Sequence, residues 1–178
     1  MRKTYLFTTV FFLLSILVYG QSKLNPVIKD YGTMFDVPFA KDKPDPTQMY
    51  KIIIEAGPSL EKPEEFYAPL EHVSRMYNLH AYAGIPQKNL DIELVVFGQS
   101  VAVALNNDAY KKKYGADNPN LKAIEEMTKA GIKIYACGQS VSAYGIDPDT
   151  INPNIEVVLS RFTTVTGRQM KGYAFFKF

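Results

Sequence analysis

The sequence predicts an α/β fold: a three-layer α/β/α body on a five-stranded, mostly parallel sheet, preceded by an extended arm. Three observations predict it. From about residue 50 onward, short apolar runs alternate with amphipathic helical stretches. Such alternation builds right-handed βαβ crossovers, which cover a parallel sheet on both faces. Residues 21–48 instead carry Pro26, Pro38, Pro44 and Pro46 with Gly32 between them, a spacing that no helical period survives. Finally, 178 residues with 47% hydrophobic and 21% charged side chains have the profile of a globular chain with one sizeable core.

The first twenty residues read as an address. Met1-Arg2-Lys3 is a short positive region, Thr4 to Tyr19 is an uncharged apolar run, and Val18-Tyr19-Gly20 suits a signal peptidase. The run is shorter than the roughly 20 residues that span a bilayer. Positions 1–20 are therefore expected to be a cleaved signal peptide, the mature chain to start near Gln21, and the protein to be periplasmic or secreted. No membrane span is expected after cleavage.

Residues 21–48 form the arm. Val27, Ile28, Tyr31, Met34, Phe35, Val37 and Phe39 are too apolar for a free linker, so the arm should pack on the body or on a neighbouring subunit. The body, residues 49–178, opens with a strand over Lys51–Glu55 that Gly57-Pro58 ends. Pro63 to Tyr82 reads as a helix, with Phe66, Leu70, Val73 and Tyr77 at three- and four-residue spacing and Gly84 as its stop. A second strand, Ile92–Phe97, leads into Gly98-Gln99-Ser100 and a helical stretch through about Tyr114. Asn118-Pro119-Asn120 starts a helix lined by Leu121, Ile124 and Met127, which Gly131 stops. Ile132–Ala136 is the third strand, Ile155–Leu159 the fourth and Tyr173–Phe178 the fifth, with a helix over Arg161–Lys171 between the last two.

Charge excludes some functions. Of 20 basic residues, Arg2 and Lys3 leave with the leader, so 20 − 2 = 18 face 18 acidic ones. A neutral mature chain without a basic block argues against nucleic acid and anionic membrane surfaces. One cysteine, Cys137, excludes an internal disulfide framework and any multi-cysteine metal site. No metal or cofactor is expected. His72 and His80 read as structural or solvated, Glu61, Glu64, Glu65 and Glu71 as acids at a helix start, and Lys111-Lys112-Lys113 as a solvated helix end. Tyr144 and Tyr173 read as core-packing residues, with the lining of a pocket as the alternative.

One motif repeats. Gly98-Gln99-Ser100-Val101 follows the second strand, and Gly138-Gln139-Ser140-Val141 follows the third. In a parallel sheet, chemistry gathers where strands end and helices begin. The glycine permits the tight turn, the serine caps, and the N–H groups that follow can cradle an anion. Two ordinary turns are the plain alternative. Cys137 adds a thiol at the end of the third strand, where a helix terminus stabilises the thiolate; a buried core cysteine is its plain alternative. Positions 134–144 hold no Lys, Arg or His, so the helix terminus is the expected source of activation. That is worth about one unit of depression from a thiol pKa of about 8.5.

Together with Pro26-Val27-Ile28-Lys29-Asp30-Tyr31-Gly32, Asn78-Leu79-His80, Asp117-Asn118-Pro119-Asn120-Leu121 and Gly172-Tyr173-Ala174, the Cys137-Gly138-Gln139-Ser140 segment resembles the DsrE/DsrF-like family, particularly its exported members. The resemblance implies a five-stranded parallel sheet and a homo-oligomer, trimeric or hexameric. Cytoplasmic relatives include sulfur-relay proteins whose cysteine carries a persulfide. Their motif is similar to a Cys followed eight residues later by Gly, the spacing of Cys137 and Gly145. One departure stands out. Exported relatives tend to have His before the glycine after the second strand, where this chain has Val95-Val96-Phe97-Gly98. Phe97 exchanges no proton, so no thiol–imidazole pair is implied.

The expected function is an exported DsrE/DsrF-like protein that handles sulfane sulfur through Cys137, with a small sulfur-containing ligand or a donor or acceptor protein as partner. Gly98, Gln99, Ser100, Gly138, Gln139 and Ser140 are the expected ligand-binding residues. The alternative is a non-catalytic small-anion-binding or assembly protein with the same fold.

Overall fold

The computed structural model describes residues 22–57 and 62–178. The expected signal peptide at 1–20, its cleavage point before Gln21, and Pro58 and Glu61 lie outside the described residues.

The arm begins with β1 (Lys23–Leu24), which pairs antiparallel with β2 (Met34–Phe35). The body starts at β3 (Tyr50–Ala56) and continues into α1 (Ala68–Tyr82). The expected start of this helix at Pro63 moves to Ala68 because Pro69 occupies its first turn. In a longer helix the proline ring would clash with the carbonyl of residue 65, and it has no N–H to offer. Glu64 and Glu65 therefore precede the helix, and Glu71 is the acid of its first turn.

β4 (Leu90–Val96) runs into a 3₁₀ segment, Gly98–Ala104, rather than one long helix. α2 (Asn107–Tyr114) starts afresh at Asn106, whose side chain accepts from the Ala109 N–H at 2.9 Å. Asparagine competes for backbone groups inside a helix and favours the cap, which explains the break. Next come α3 (Leu121–Lys129), β5 (Lys133–Cys137) and α4 (Gly138–Ala143). β6 (Glu156–Val158), α5 (Arg161–Met170) and β7 (Ala174–Lys177) complete the chain.

The sheet order is β6-β5-β4-β3-β7, with every pairing parallel. Ile54 pairs with Leu94, and Leu94 with Ile134. Alternate residues point to opposite faces. One face carries Ile52, Ile54, Ile92, Leu94 and Ile134 into a large core against Leu70, Val73 and Tyr77 of α1 and Ile124 and Met127 of α3. Burying each such side chain contributes about 1.5–3 kcal/mol.

The opposite face is different. Its apolar cluster is small, with Val95, Tyr135 and Cys137 buried and Phe97, Val158 and Val165 partly so. α5 covers it without burying any residue of its own. Charge holds this helix instead. Arg168 Nε donates to buried Glu93 at 2.5 Å, and Arg161 Nη1 donates to buried Glu55 at 2.8 Å. Tyr173 departs from its expected core role, because its hydroxyl donates to Asp91 in the same network. Tyr144 departs likewise and is exposed.

The arm packs on its own body. Asn78, fully buried in α1, accepts from the Val27 and Ile28 N–H groups at 3.2 and 2.9 Å. Its amide donates to the Ile28, Tyr31 and Gly32 carbonyls at 3.0, 3.1 and 3.1 Å. The Glu71 carboxylate accepts from Gly32 and Thr33 at 2.9 and 3.1 Å. Gly32 combines φ of 72° with an approach so close that a Cβ would lie 2.3 Å from the Ser74 carbonyl carbon. Only glycine fits there.

Asn78→Ala should strand these arm groups without partners. An unmet buried polar group costs about 1–3 kcal/mol, and water reaching a loosened arm should recover part of it. We expect a loss of about 3 kcal/mol in chemical denaturation, with faster proteolysis within residues 22–48 under native conditions. An unchanged midpoint and cleavage pattern would refute this assignment of Asn78.

Candidate functional site

Cys137 is the last residue of β5 and the N-cap of α4. β6 and α5 meet beside it, because neighbouring parallel strands all end at one edge of the sheet. The approach of β6 dictates Gly138, where a Cβ would lie 2.7 Å from the Val158 carbonyl oxygen. At the far end of α4, Gly145 has φ of 59°. The Gly145 and Ile146 N–H groups return to the Ser142 and Val141 carbonyls at 3.1 and 2.9 Å, which stops the helix. The Cys137–Gly145 spacing is thus one short helix with its left-handed stop.

The residue is only 3% exposed, at the wall of an open groove of about 520 Å³ that Gln139, Ser140, Ser160, Arg161 and Phe162 also line. The Arg161 backbone N–H donates to Cys137 Sγ at 3.3 Å. Burial pushes the thiol pKa up, but the donors outweigh it and the net direction is down. Those donors are the Arg161 N–H, the Ser140 hydroxyl and N–H, and the Gln139 N–H. Each favours the anionic sulfur. The thiolate therefore contributes stability above the ordinary thiol pKa, and that contribution is lost as pH falls through the depressed one.

The two Gly-Gln-Ser-Val turns are sheet neighbours with different roles. The Gly98 N–H donates to Ser140 Oγ at 2.9 Å, so the first turn buttresses the second. Ser100 is fully buried, and its hydroxyl donates to the Phe97 carbonyl at 2.7 Å. Gln99 lines a separate concavity with Lys113, Tyr114 and Tyr144. Of the expected site residues, Gly138, Gln139 and Ser140 gather around Cys137 and Gly98 reaches it through Ser140. Gln99 and Ser100 stand apart.

Two helix termini, rather than one, point N–H groups at the sulfur. The second belongs to Arg161, 24 residues from Cys137. Its guanidinium carbon lies 3.9 Å from the Phe97 ring centroid and 4.2 Å from that of Phe162. A cation therefore does stand in this neighbourhood, although none lies within three residues of Cys137 in sequence. The signal for it was Ser160, a capping residue after a strand that neighbours Cys137's own. The Ser160 side chain accepts from the Phe162 N–H at 3.2 Å. His80 Nδ1 is 2.7 Å from the Met76 carbonyl, and His72 lies 5.3 Å from the Phe178 ring. Among the described residues no group of three or more His, Cys, Asp or Glu is placed to hold a metal, and no helix is long and apolar enough to cross a membrane.

A parallel five-stranded α/β body with a cysteine at a strand-to-helix turn is the class this chain falls into. It belongs to the DsrE/DsrF-like family, whose description matches residues 70–178. Among solved structures it is similar to the protein of unknown function MTH1491 from Methanobacterium thermoautotrophicum. That likeness has 23% identity and a TM-score of 0.55 over 72% of this chain and 98% of the other. It is similar also to the ychN protein from E. coli, at 16% identity and a TM-score of 0.52 over 73% and 100% of the two chains. These likenesses concern the fold. No curated protein matches.

Arg161→Pro should remove the Sγ donor without a backbone clash, because proline is tolerated at the first helical position and Ser160 is already extended, and it also removes the ion pair to Glu55. Cys137 should then titrate about one unit higher, since about 1.4 kcal/mol corresponds to one unit. A thiolate titration with an unmoved midpoint would remove Arg161 from the site.

Proposed function

We propose that this protein is an exported carrier of sulfane sulfur that holds the atom on Cys137 as a persulfide. The observation that supports the reading most is the sulfur's position at a groove wall, with the Arg161 N–H on it at 3.3 Å. In the reaction the Cys137 thiolate attacks the terminal sulfur of a persulfide or polysulfide donor. An S–S bond forms to Cys137, the donor's S–S bond breaks, and the donor leaves as a thiolate. The backbone N–H groups over Gly138–Ser140 and at Arg161 favour negative charge on the bound sulfur. An acceptor nucleophile then attacks the outer sulfur and releases Cys137 as thiolate. Redox state is conserved throughout, so no cofactor enters.

The carrier works as a homo-oligomer, a trimer or hexamer, in this reading. Leu159, Phe162 and Met170 around α5 are 72%, 67% and 85% exposed, and Phe175 of β7 is partly exposed on the same thinly covered side. Apolar surface of this kind suits a subunit contact. The working compartment is the periplasm or the exterior, on the strength of the leader-like residues 1–20.

A second reading is a small-anion-binding or assembly protein without sulfur transfer. The near-complete burial of Cys137 and the aromatic Phe97 favour it. Intact-mass measurement after polysulfide exposure separates the two. The carrier should gain one or more sulfur atoms that dithiothreitol removes, and Cys137→Ser should gain none. Its native thiol should also react with iodoacetamide faster than free cysteine near neutral pH. Equal sulfur uptake by Cys137→Ser, or alkylation only on unfolding, would favour the second reading. N-terminal sequencing of the exported form should begin at or near Gln21, and an intact Met1 in the membrane fraction would contradict export as a cleaved protein.

A further inference from the structure

Glu55 and Arg161 form an ion pair in an unusual setting. Glu55 is 7% exposed and rises from β3, two strands away from β5. Arg161 is the first residue of α5, and its Nη1 reaches Glu55 Oε2 at 2.8 Å. Its guanidinium meanwhile lies against the Phe97 and Phe162 rings, at 3.9 and 4.2 Å from their centroids. An anion and two aromatic faces thus orient one planar cation. The main chain of the same residue donates to Cys137 Sγ.

That coincidence has a mechanical meaning. α5 buries no residue of its own, so apolar packing does little to fix its first turn. A first-turn N–H has no partner inside the helix and is free to turn to water when the terminus frays. The guanidinium's fixed fork and flat face define direction in a way that an ammonium cannot.

We propose that Glu55, Phe97 and Phe162 are positioning residues for Cys137, holding Arg161 so that its backbone N–H stays on the sulfur. Phe97 then has a task of its own. It gives the Arg161 guanidinium a flat face to lie against. The charged groups around the sulfur are few. Arg161 comes from α5, Glu55 from β3, and Lys177 of β7 approaches Glu55 at 3.6 Å. Among the other groove residues, Gln139, Ser140, Ser160, Phe162 and Thr163 carry no charge. The proposal builds on Cys137 as the reactive group of the preceding section, but not on sulfur as its cargo.

The sign of one shift tests it. Glu55→Gln removes a negative charge, which through space alone lowers the thiol's titration midpoint or leaves it unmoved. Loss of positioning raises it. In the full chain, thiolate absorbance followed against pH, with Cys137→Ser as the blank, should show a rise of about half a unit to one unit. That is a fall of about three- to tenfold in thiolate well below the midpoint. Phe97→Leu keeps the ion pair and most of the apolar volume but removes the flat support, and should move the midpoint the same way. It serves as the deciding variant if circular dichroism shows Glu55→Gln unfolded. Arg161→Lys, which keeps the charge without the planar fork, should not restore the wild-type value. An unmoved or lowered midpoint in folded Glu55→Gln or Phe97→Leu, or a wild-type midpoint in Arg161→Lys, overturns the proposal. Polysulfide loading of the wild type is read separately. Its failure alone would remove the carrier function and leave the positioning in place.

Discussion

Because all five strands run the same way, every strand-to-helix turn opens on one edge of the sheet. This constraint brings segments distant in sequence to Cys137. β4 delivers Phe97 and Gly98, β5 delivers the cysteine and its own helix, and β6 delivers Ser160 and Arg161. Each turn exposes N–H groups that a helix cannot satisfy internally. Where two such turns meet, a buried sulfur is more comfortable as an anion than burial alone would allow.

The two faces of the sheet are held by different physics. Aliphatic side chains dominate under α1 and α3, and the strands there read as continuous buried runs. Under α5 the sheet presents Glu55 and Glu93, and the helix answers with Arg161 and Arg168. A buried ion pair adds little net stability, because desolvation offsets the attraction. It does specify geometry, since a buried carboxylate accepts few alternatives to its guanidinium. The thinly covered face is where direction matters, because that is where the thiol lies.

The arm obeys a related rule. Its backbone could not lie on α1 with unmet polar groups, and Asn78 and Glu71 meet them from the helix side. The acidic first turn of α1 thus has a use beyond the helix dipole. Asn118 and Asn120 make a similar connection. Asn118 donates to the Val103 and Leu105 carbonyls at 3.0 and 2.8 Å, and Asn120 accepts from the Tyr67 N–H at 2.8 Å. A motif legible as a helix start is also a bolt between segments.

The sequence by itself determined the strands, the helices that stop at glycine, the α/β class and Cys137 as the residue of interest. These follow from period, propensity and turn chemistry, which act over a few neighbouring residues. It also carried the repeated Gly-Gln-Ser-Val without showing that its copies differ. Only the tertiary structure decided that Ser100 is consumed internally, that Gln99 faces another concavity, and that Gly98 serves Ser140. It alone placed Arg161 on the sulfur and on Phe97, across 24 residues in one case. The reason is physical. A hydrogen bond or an ion pair depends on distance in space, and in a parallel sheet the crossover helices separate in sequence the very turns that lie side by side.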